Sequence, residues 1–285
     1  MFPLSRPSLS YEFFPPKDSV GEDALWSSFA LLLETNPDFV TVTYGAGGSN
    51  QERSIALVAE MAKQVKTVAH LTCVNASRSE LQTTIRKFAD AGAAAILALR
   101  GDPPLENGAR VADTGELKTA LELIELIRQT VDLPIAVGAF PEVHPESPNM
   151  QHDSSVLALK QQAGADFAIT QLFFSLQAYQ TMASSLSSVG VTIPVIPGLM
   201  PIANSAQVFR MAKLSGAQVP DQLVASLEGL SELEAKKKGM DFSARLGAEL
   251  LQVSPGLHIY TLNQSAAAIQ VAEESGILEL RRNVT

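Results

Sequence analysis

The chain has 285 residues, of which 46% are hydrophobic and 18% are charged. The charged fraction lies below the ~25% that is usual for soluble proteins, so much of the chain must be interior. The formal net charge of −9 argues against a nucleic-acid binder, because such proteins usually present a basic face. The single cysteine, Cys73, excludes an intrachain disulfide and any pair of cysteines at metal-ligand spacing.

Nothing in the sequence indicates a membrane protein or a secreted one. The amino terminus lacks the apolar segment of a signal peptide, and no apolar run approaches the ~18 residues of a membrane helix. We therefore expect a cytoplasmic protein with no membrane partner. Cys73 lies in an apolar run and is expected to be a buried, inert thiol.

Segments typical of strands and helices alternate along the whole chain. Strands are predicted at 8–14, 39–45, 67–73, 95–101, 134–140, 166–174, 194–200 and 258–263. Capping boxes are predicted at three helix starts, by Ser19-x-x-Glu22, Ser49-x-x-Glu52 and Ser77-x-x-Glu80. Before the eighth strand there is room for extra helices near 204–215, 220–229 and 232–253.

Continuous alternation of strands and helices predicts a parallel sheet with right-handed crossovers. Eight units close most economically as a (β/α)₈ TIM barrel, with residues 1–285 forming a single catalytic domain. The alternative is an open doubly wound sheet. That fold favours a glycine-rich phosphate turn after its first strand, where this chain has Pro15 and Pro16.

Polar residues near the carboxyl ends of the predicted strands are candidates for function, because barrel enzymes place their active sites there. Glu12 stands in an apolar strand and shares one face of it with Ser10 and Phe14. It is either a member of a structural ion pair or a functional acid, since apolar surroundings favour a protonated carboxyl group. Thr43, Asp102, His144 and Gln171 lie at the ends of other strands.

Several of these features keep a structural alternative open. The glycine-rich turn 45–48 is either a ligand-binding loop or an ordinary turn. Arg100 and Asp102 either bind a polar heterocycle or pair with each other as a salt bridge at the rim. No second His or Cys stands at metal-ligand spacing from His144, so no metal site is expected. His258 has no evident partner and is assigned a structural role.

Eight short motifs occur in order within residues 8–275. They are YEFFPP (11–16), VTYGAGG (42–48), HLTC (70–73), LRGD (99–102), PEVHP (141–145), ITQLFF (169–174), IPG (196–198) and YTLN (260–263). Together they resemble those of bacterial methylenetetrahydrofolate reductases. The resemblance implies a (β/α)₈ barrel with FAD at its mouth. It also implies transfer of a hydride from NADH or NADPH to 5,10-methylenetetrahydrofolate, giving 5-methyltetrahydrofolate.

The same resemblance implies roles for individual residues. Glu12 would be the general acid that assists opening of the methylene bridge, and Asp102 would contact the pterin and tune the flavin. The positions that match flavin contacts are Thr43, Tyr44, Ala46, His70, Arg100, Gly101, Asp102, Phe140, His144, Asp153 and Lys160. Those that match folate contacts are Glu12, Asp102, Gln171, Gln207 and Tyr260. Family members are commonly homo-oligomers, and we expect one here.

The chain departs from the family at several positions near the cofactor. Phe140 replaces a frequent Tyr, Gln264 replaces a common Arg, and Val156 and Leu159 replace polar residues. These departures predict weaker retention of FAD, and they keep open a flavin-free reductase of the same family that passes a hydride directly from NADH. A non-catalytic folate-binding subunit is a further alternative, although such a subunit would not need Glu12. Another flavin-dependent barrel oxidoreductase would share the fold but not the motifs.

Overall fold

The computed structural model describes residues 7–44, 48–102, 105–106, 109–110 and 112–283. The strands in these ranges are β1 (Ser8–Phe13), β2 (Phe39–Val42), β3 (Thr67–Thr72), β4 (Ala95–Leu99), β5 (Leu105–Glu106), β6 (Ala109–Arg110), β7 (Ile135–Ala139), β8 (Phe167–Thr170), β9 (Val195–Ile196), β10 (Gly198–Leu199) and β11 (Gly256–Tyr260). The helices are α1 (Ser19–Leu33), α2 (Gly48–Met61), α3 (Arg78–Asp90), α4 (Ala120–Thr130), α5 (Met150–Gln162), α6 (Leu176–Ser188), α7 (Ser205–Ser215), α8 (Asp221–Leu227), α9 (Glu232–Leu250), α10 (Ser265–Glu274) and α11 (Ile277–Arg282).

The main sheet is parallel and runs in the order β10-β11-β1-β2-β3-β4-β7-β8-β9. Its two end strands, β9 and β10, are consecutive pieces of one segment that Pro197 interrupts, because proline has no amide hydrogen to donate. β9 pairs with β8 and β10 pairs with β11, so this segment closes the sheet. The predicted (β/α)₈ barrel is confirmed, and its predicted seventh strand is two short strands.

The structure corrects some of the predicted boundaries. The strands predicted at 95–101 and 166–174 end at Leu99 and Thr170, which places the polar residues that follow them in loops. An antiparallel ribbon of β5 and β6, absent from the prediction, follows β4. The three helices predicted before the last strand are confirmed as α7, α8 and α9. Within the described ranges, no helix is long and apolar enough to span a membrane.

The predicted helix caps have three different outcomes. The capping box of Ser77 and Glu80 at the start of α3 is confirmed. The one at Ser19 is wrong, because Asp18 precedes α1 and its side chain accepts a hydrogen bond from the amide of Gly21. The side chain of Ser49 lies outside the described residues.

Alternation along the strands divides the core into two layers. Leu9, Tyr11 and Phe13 of β1 face outward and pack against the surrounding helices. A smaller apolar cluster fills the inside of the barrel and comprises Phe39, Val68, Ala95, Leu97, Ala136, Phe167, Ile169 and Ile196. Ser10 pairs with Phe39 and Glu12 with Thr41, so Glu12 lies one step beyond this cluster, toward the carboxyl ends of the strands.

The amino-terminal end of the barrel is held by a buried ion pair, which we call the Arg281 cluster. Arg281 of α11 is 4% exposed, pairs with Asp38, and donates hydrogen bonds to the carbonyls of Pro7 at 2.8 Å and Asn36 at 2.6 Å. The Asp38 carboxylate also accepts a hydrogen bond from the amide of Leu9 at 2.9 Å. These contacts tie the last helix to the beginnings of β1 and β2.

Candidate active site

Glu12 lies inside the barrel between two histidines. Its Oε2 atom is 3.7 Å from Nε2 of His70 on β3 and 3.7 Å from Nε2 of His258 on β11. Both imidazoles are buried, whereas the Glu12 side chain keeps 21% of its surface exposed. We call these three side chains the Glu12 cluster. The Glu12 carboxylate is accessible from the barrel mouth, whereas the two imidazoles that face it are buried.

Burial controls the charge of the residues around Glu12. It lowers the pKa of His70 to about 4; the neighbouring His258 acts in the same direction and Glu12 acts against it. His70 is therefore neutral at pH 7. Burial, together with the negative charge of Glu12, raises the pKa of Tyr260 well above its ordinary value. The Tyr260 hydroxyl donates a hydrogen bond to the carbonyl of Thr170 at 2.6 Å, so it is a neutral phenol with a fixed position.

The Glu12 cluster has unused hydrogen-bonding capacity. Among the described residues, neither imidazole Nε2 has a hydrogen-bond partner, and the buried hydroxyl of Thr41 also lacks one. The 3.7 Å separations are too long for hydrogen bonds. Buried polar groups are normally paired, so several unpaired ones in one place indicate a site that a ligand or water completes. In the described part of the chain, no three His, Cys, Asp or Glu side chains are arranged to hold a metal ion.

The contact between His258 and Glu12 is one that the sequence analysis missed. Residue 258 lies on the last strand, which meets the first strand only because the barrel closes. The register then pairs His258 with Ser10, and the Ser10 hydroxyl lies 2.9 Å from Nδ1 of the imidazole. A signal was present in the sequence, since His258 and Tyr260 are two residues apart and share one face of a strand.

A cavity of about 410 Å³ opens at the carboxyl ends of β4, β7 and β8. Many of the residues predicted to contact the flavin line it: Arg100, Gly101, Asp102, Phe140, His144, Asp153 and Lys160. Gln171, predicted to contact folate, lines it as well. Much of the remaining wall is apolar and includes Met150, Val156, Leu157, Met182 and Leu186. The cavity thus combines apolar surface with a few polar groups, which is typical of a cofactor site.

Lys160 and Arg100 bring positive charge to this cavity, whose lining also includes the carboxylates of Asp102, Glu146 and Asp153. The ammonium group of Lys160 donates to the carbonyl of Gly138 at 3.4 Å, and burial lowers the pKa of Lys160 to about 8. Arg100 forms a two-pronged ion pair with Glu146. Burial and the charge of Arg100 both lower the pKa of His144, which favours the neutral imidazole. Lys160 and Arg100 are the side chains of this lining that suit an anionic group such as a phosphate.

The loop between β7 and α5 has a fixed shape beside the cavity. Val143 has φ +69°, which is rare for a β-branched residue, and contacts on both sides hold it there. On one side Glu142 accepts a hydrogen bond from the amide of Gln218 at 2.9 Å, and on the other the amide of His144 donates to Asp153 at 2.6 Å. The cavity wall is therefore preformed.

Glycine is required at the end of β4, where the chain turns into the cavity. Gly101 has φ +84°, and a Cβ atom there would lie 2.8 Å from Cβ of Thr72. Any side chain at residue 101 would strain the backbone and collide with β3. The turn sets the position of Asp102, whose side chain is exposed at the rim of the cavity.

The other predicted contact residues lie elsewhere. Tyr44 packs edge-on against Phe88 at 5.9 Å and lines a second cavity, of about 350 Å³, between α2 and α3. Thr43 follows β2, and its amide donates to the carbonyl of Phe13 at 2.9 Å. Gln207 lies on α7 and does not line the 410 Å³ cavity. Ala46 lies outside the described residues. Cys73 is buried as predicted, and burial raises its pKa to about 11.

Comparison with known proteins identifies relatives across nearly the whole chain. The family model for methylenetetrahydrofolate reductase matches residues 4–276. The 5,10-methylenetetrahydrofolate reductase of Salmonella typhimurium is 34% identical over 278 residues, which cover 95% of this chain and 91% of that protein. The Escherichia coli K12 enzyme of the same name is 32% identical over 278 residues, with the same coverage of both chains.

Solved structures agree on the fold. A protein from Clostridium thermocellum that binds two copies of 5-methyl-5,6,7,8-tetrahydrofolic acid superposes with a TM-score of 0.69, covering 99% of this chain and 98% of that one. The two are 14% identical in sequence, so this likeness concerns the fold alone. The sequence matches go further: the chain belongs to the methylenetetrahydrofolate reductase family.

Proposed function

We propose that this chain reduces 5,10-methylenetetrahydrofolate with a hydride drawn from NADH or NADPH through bound FAD, and that Glu12 supplies the proton. The observation that carries the proposal is the position of Glu12. Its carboxylate is partly exposed at the barrel mouth and is faced by two buried imidazoles without hydrogen bonds. That arrangement suits a group that changes its protonation state during the reaction.

The chemistry of the cavity at β4, β7 and β8 supports the proposal that it takes FAD. Its volume of about 410 Å³ lies within the ~300–1,000 Å³ of typical ligand pockets. Its apolar walls suit a flat ring system, while Lys160 and Arg100 would hold the diphosphate. When bound, the flavin would accept a hydride from NAD(P)H and pass it to the folate. Phe140 and Val156 offer the cofactor no hydrogen bond, which supports weak retention.

Glu12 would act on the nitrogen that leaves the methylene bridge. Its proton passes to N10 of the folate, and the bond between N10 and the bridging carbon breaks with its electron pair remaining on N10. The bridging carbon is then an iminium at N5, and one hydride converts it to the methyl group. A general acid placed in this way contributes typically about 10²–10⁴-fold to the rate.

Asp102 and Gln171 would orient the folate during this step. The carboxylate of Asp102 at the rim of the cavity brings a negative charge toward the cationic iminium. Gln171 follows β8, where its side-chain oxygen accepts a hydrogen bond from the amide of Leu172 at 2.8 Å, so its amide group is held in place. Its NH₂ group is the part that we assign to the pterin.

The proposal also covers the location and the assembly of the chain. The chain would act as one catalytic domain in the cytoplasm and would assemble as a homo-oligomer. A flavin-free reductase that transfers the hydride directly from NADH is the second candidate. The observation that favours it is on α5, where Val156 lines the cavity with an apolar side chain and Leu159 is 48% exposed.

Visible absorbance tests the two candidates directly. The purified protein is loaded with FAD, freed of excess cofactor and mixed anaerobically with NADH, then with methylenetetrahydrofolate. We expect the flavin absorbance to bleach with NADH and to recover on addition of the folate, whereas a buffer addition leaves it bleached. Full activity in protein that mass spectrometry shows to be free of flavin would reject the role of FAD and support direct transfer.

A further inference from the structure

We propose that Ser10 and His258 position the proton of Glu12, with Ser10 holding His258 in the tautomer that carries its hydrogen on Nε2. His258 would be a positioning residue for the folate step, acting through Glu12 without touching the substrate. The inference rests on the proposed role of Glu12 as the general acid. It starts from the contact between the Ser10 hydroxyl and the buried His258 ring.

The distances around Ser10 select the tautomer of His258. The Ser10 hydroxyl lies 2.9 Å from Nδ1 of His258 and 3.5 Å from the carbonyl of Leu257. A hydroxyl has one hydrogen to donate, and 2.9 Å is an ordinary hydrogen-bond distance whereas 3.5 Å is at the limit. The Ser10 hydroxyl therefore donates its hydrogen to Nδ1 of His258. An imidazole that accepts at Nδ1 carries its own hydrogen on Nε2 when neutral.

The hydrogen on Nε2 then faces Glu12. Nε2 of His258 lies 3.7 Å from Oε2 of Glu12, and a movement of about 0.7 Å would bring the two into hydrogen-bond distance. A donor aimed at a carboxyl group favours its charged form over its neutral form. The His258 ring is fully buried, and the strand that carries it pairs with the strand that carries Glu12. The Nε2 donor is therefore fixed in place. It stabilises the carboxylate that forms when Glu12 gives up its proton.

The surroundings of Glu12 contain further titratable groups, and their state bears on any pH profile. They are His70 on β3 and Tyr260 on β11, in addition to His258. His70 is neutral near pH 7 because burial lowers its pKa to about 4, and Tyr260 keeps its proton because burial raises its pKa. Thr41 of β2, which pairs with Glu12, has no charge. Near neutral pH, His70 and Tyr260 each keep one protonation state, so neither of them adds a titration to the folate step.

The first test compares Ser10→Ala with Ser8→Ala. Ser8 lies two residues earlier on the same face of β1, is fully buried, and has a hydroxyl without a partner among the described residues. Without Ser10, His258 is free to move its hydrogen to Nδ1, and its bare Nε2 then favours a protonated Glu12. The rate of the folate half-reaction should fall at alkaline pH. We expect the midpoint of that fall to move up by roughly one pH unit, and the maximal rate at lower pH to drop about tenfold.

Stopped-flow measurement of the FAD-loaded enzyme across the neutral pH range gives both the midpoint and the maximal rate. Ser8→Ala should match the unaltered protein, and neither variant should change the reduction by NADH. An unchanged midpoint in Ser10→Ala would overturn the inference. Glu12→Gln separates this failure from that of the proposed function. If Glu12→Gln leaves the folate half-reaction intact, the proposed function fails; if it slows that step while Ser10→Ala does nothing, only the role of Ser10 and His258 fails.

The second test does not depend on activity. Nitrogen-15 NMR of histidine-labelled protein distinguishes the two neutral tautomers by the shifts of Nδ1 and Nε2. Loss of one ring signal in His258→Gln assigns His258 among the four histidines. We expect the hydrogen on Nε2 in the unaltered protein and a mixed population in Ser10→Ala. A hydrogen on Nδ1 in the unaltered protein would contradict the inference.

Discussion

The two ends of the barrel treat buried charge in opposite ways. In the Arg281 cluster the guanidinium has a carboxylate and two carbonyls as partners, and the carboxylate has a backbone amide as well. In the Glu12 cluster two imidazole nitrogens face a carboxylate at 3.7 Å and make no hydrogen bond within the described residues. Burying a charge is costly unless it is paired. The contrast indicates that one end of the barrel is organised for stability and the other for chemistry.

The largest expected effect is that of Glu12→Gln on the folate half-reaction. Glutamine keeps the shape of the side chain but has no carboxyl proton, so this step should slow by about 10²–10⁴-fold. Reduction by NADH needs no acid and should change far less. Separate stopped-flow measurements of the two halves check the split. Equal losses in both would indicate that Glu12 belongs to a structural ion pair.

Arg281→Met should lower the stability of the protein and leave its activity nearly unchanged. The change removes the guanidinium that pairs with the Asp38 carboxylate, which should lower the free energy of unfolding by roughly 3 kcal/mol, the lower end of the range for broken buried pairs. The lower end applies because the Asp38 side chain keeps 27% of its surface exposed. Urea unfolding measures the loss, with the exposed Arg86→Met on α3 as the control. Below the unfolding transition, folate turnover should be close to normal.

Lys160→Met should weaken flavin binding without unfolding the protein. It removes a charged donor from the cavity wall, which should reduce FAD affinity roughly tenfold. Because burial lowers the pKa of Lys160 to about 8, the positive charge is present below that pH and is lost above it. FAD affinity of the unaltered protein should therefore fall as pH rises through that value, and the variant should lose this dependence. Lys63→Met, on the exposed surface, is the matched control; equal affinity in both variants would remove Lys160 from the site.

Asp102→Asn should have the smallest effect, on the reduction potential of the flavin. A nearby carboxylate disfavours the anionic reduced flavin, so its removal should raise the potential by on the order of 20–30 mV, or about 1 kcal/mol. Reduction by NADH should survive while transfer to the folate slows. Dye-coupled potentiometry checks the shift, with the exposed Asp90→Asn as the control. An unchanged potential would place Asp102 away from the ring.

The sequence was sufficient to predict the barrel and the face that Glu12 shares with Ser10, because both depend on local patterns. Alternation of strand and helix predicts the fold, and period-two alternation within β1 puts Ser10 and Glu12 on one face, which the structure shows to be the inner one. The contact with His258 depends on closure between the first and last strands, and no local pattern encodes that register. The interruption of the strand at Pro197 was not predictable from a local pattern either, since its effect depends on which neighbours β9 and β10 pair with.

Placement of the cofactor residues was predictable only in part. Arg100, Asp102 and Lys160 come from three segments that converge because β4, β7 and α5 are neighbours in the barrel. Tyr44 stands in a motif that resembles the family just as closely, yet its ring packs against Phe88 and lines the 350 Å³ cavity. A motif gives the position of a residue along the chain, whereas packing against the next helix decides which cavity the side chain enters.

The stability of Glu12→Gln tests the central contrast most directly. If the Glu12 cluster is organised for chemistry, then its partly exposed carboxylate makes no hydrogen bond that holds the fold together, and removing its charge costs no stability. The variant should then unfold at the same urea concentration as the unaltered protein or at a higher one, while losing the folate step. A variant that loses more than about 1 kcal/mol of stability together with its activity would contradict the account, because that loss is typical of a broken structural interaction.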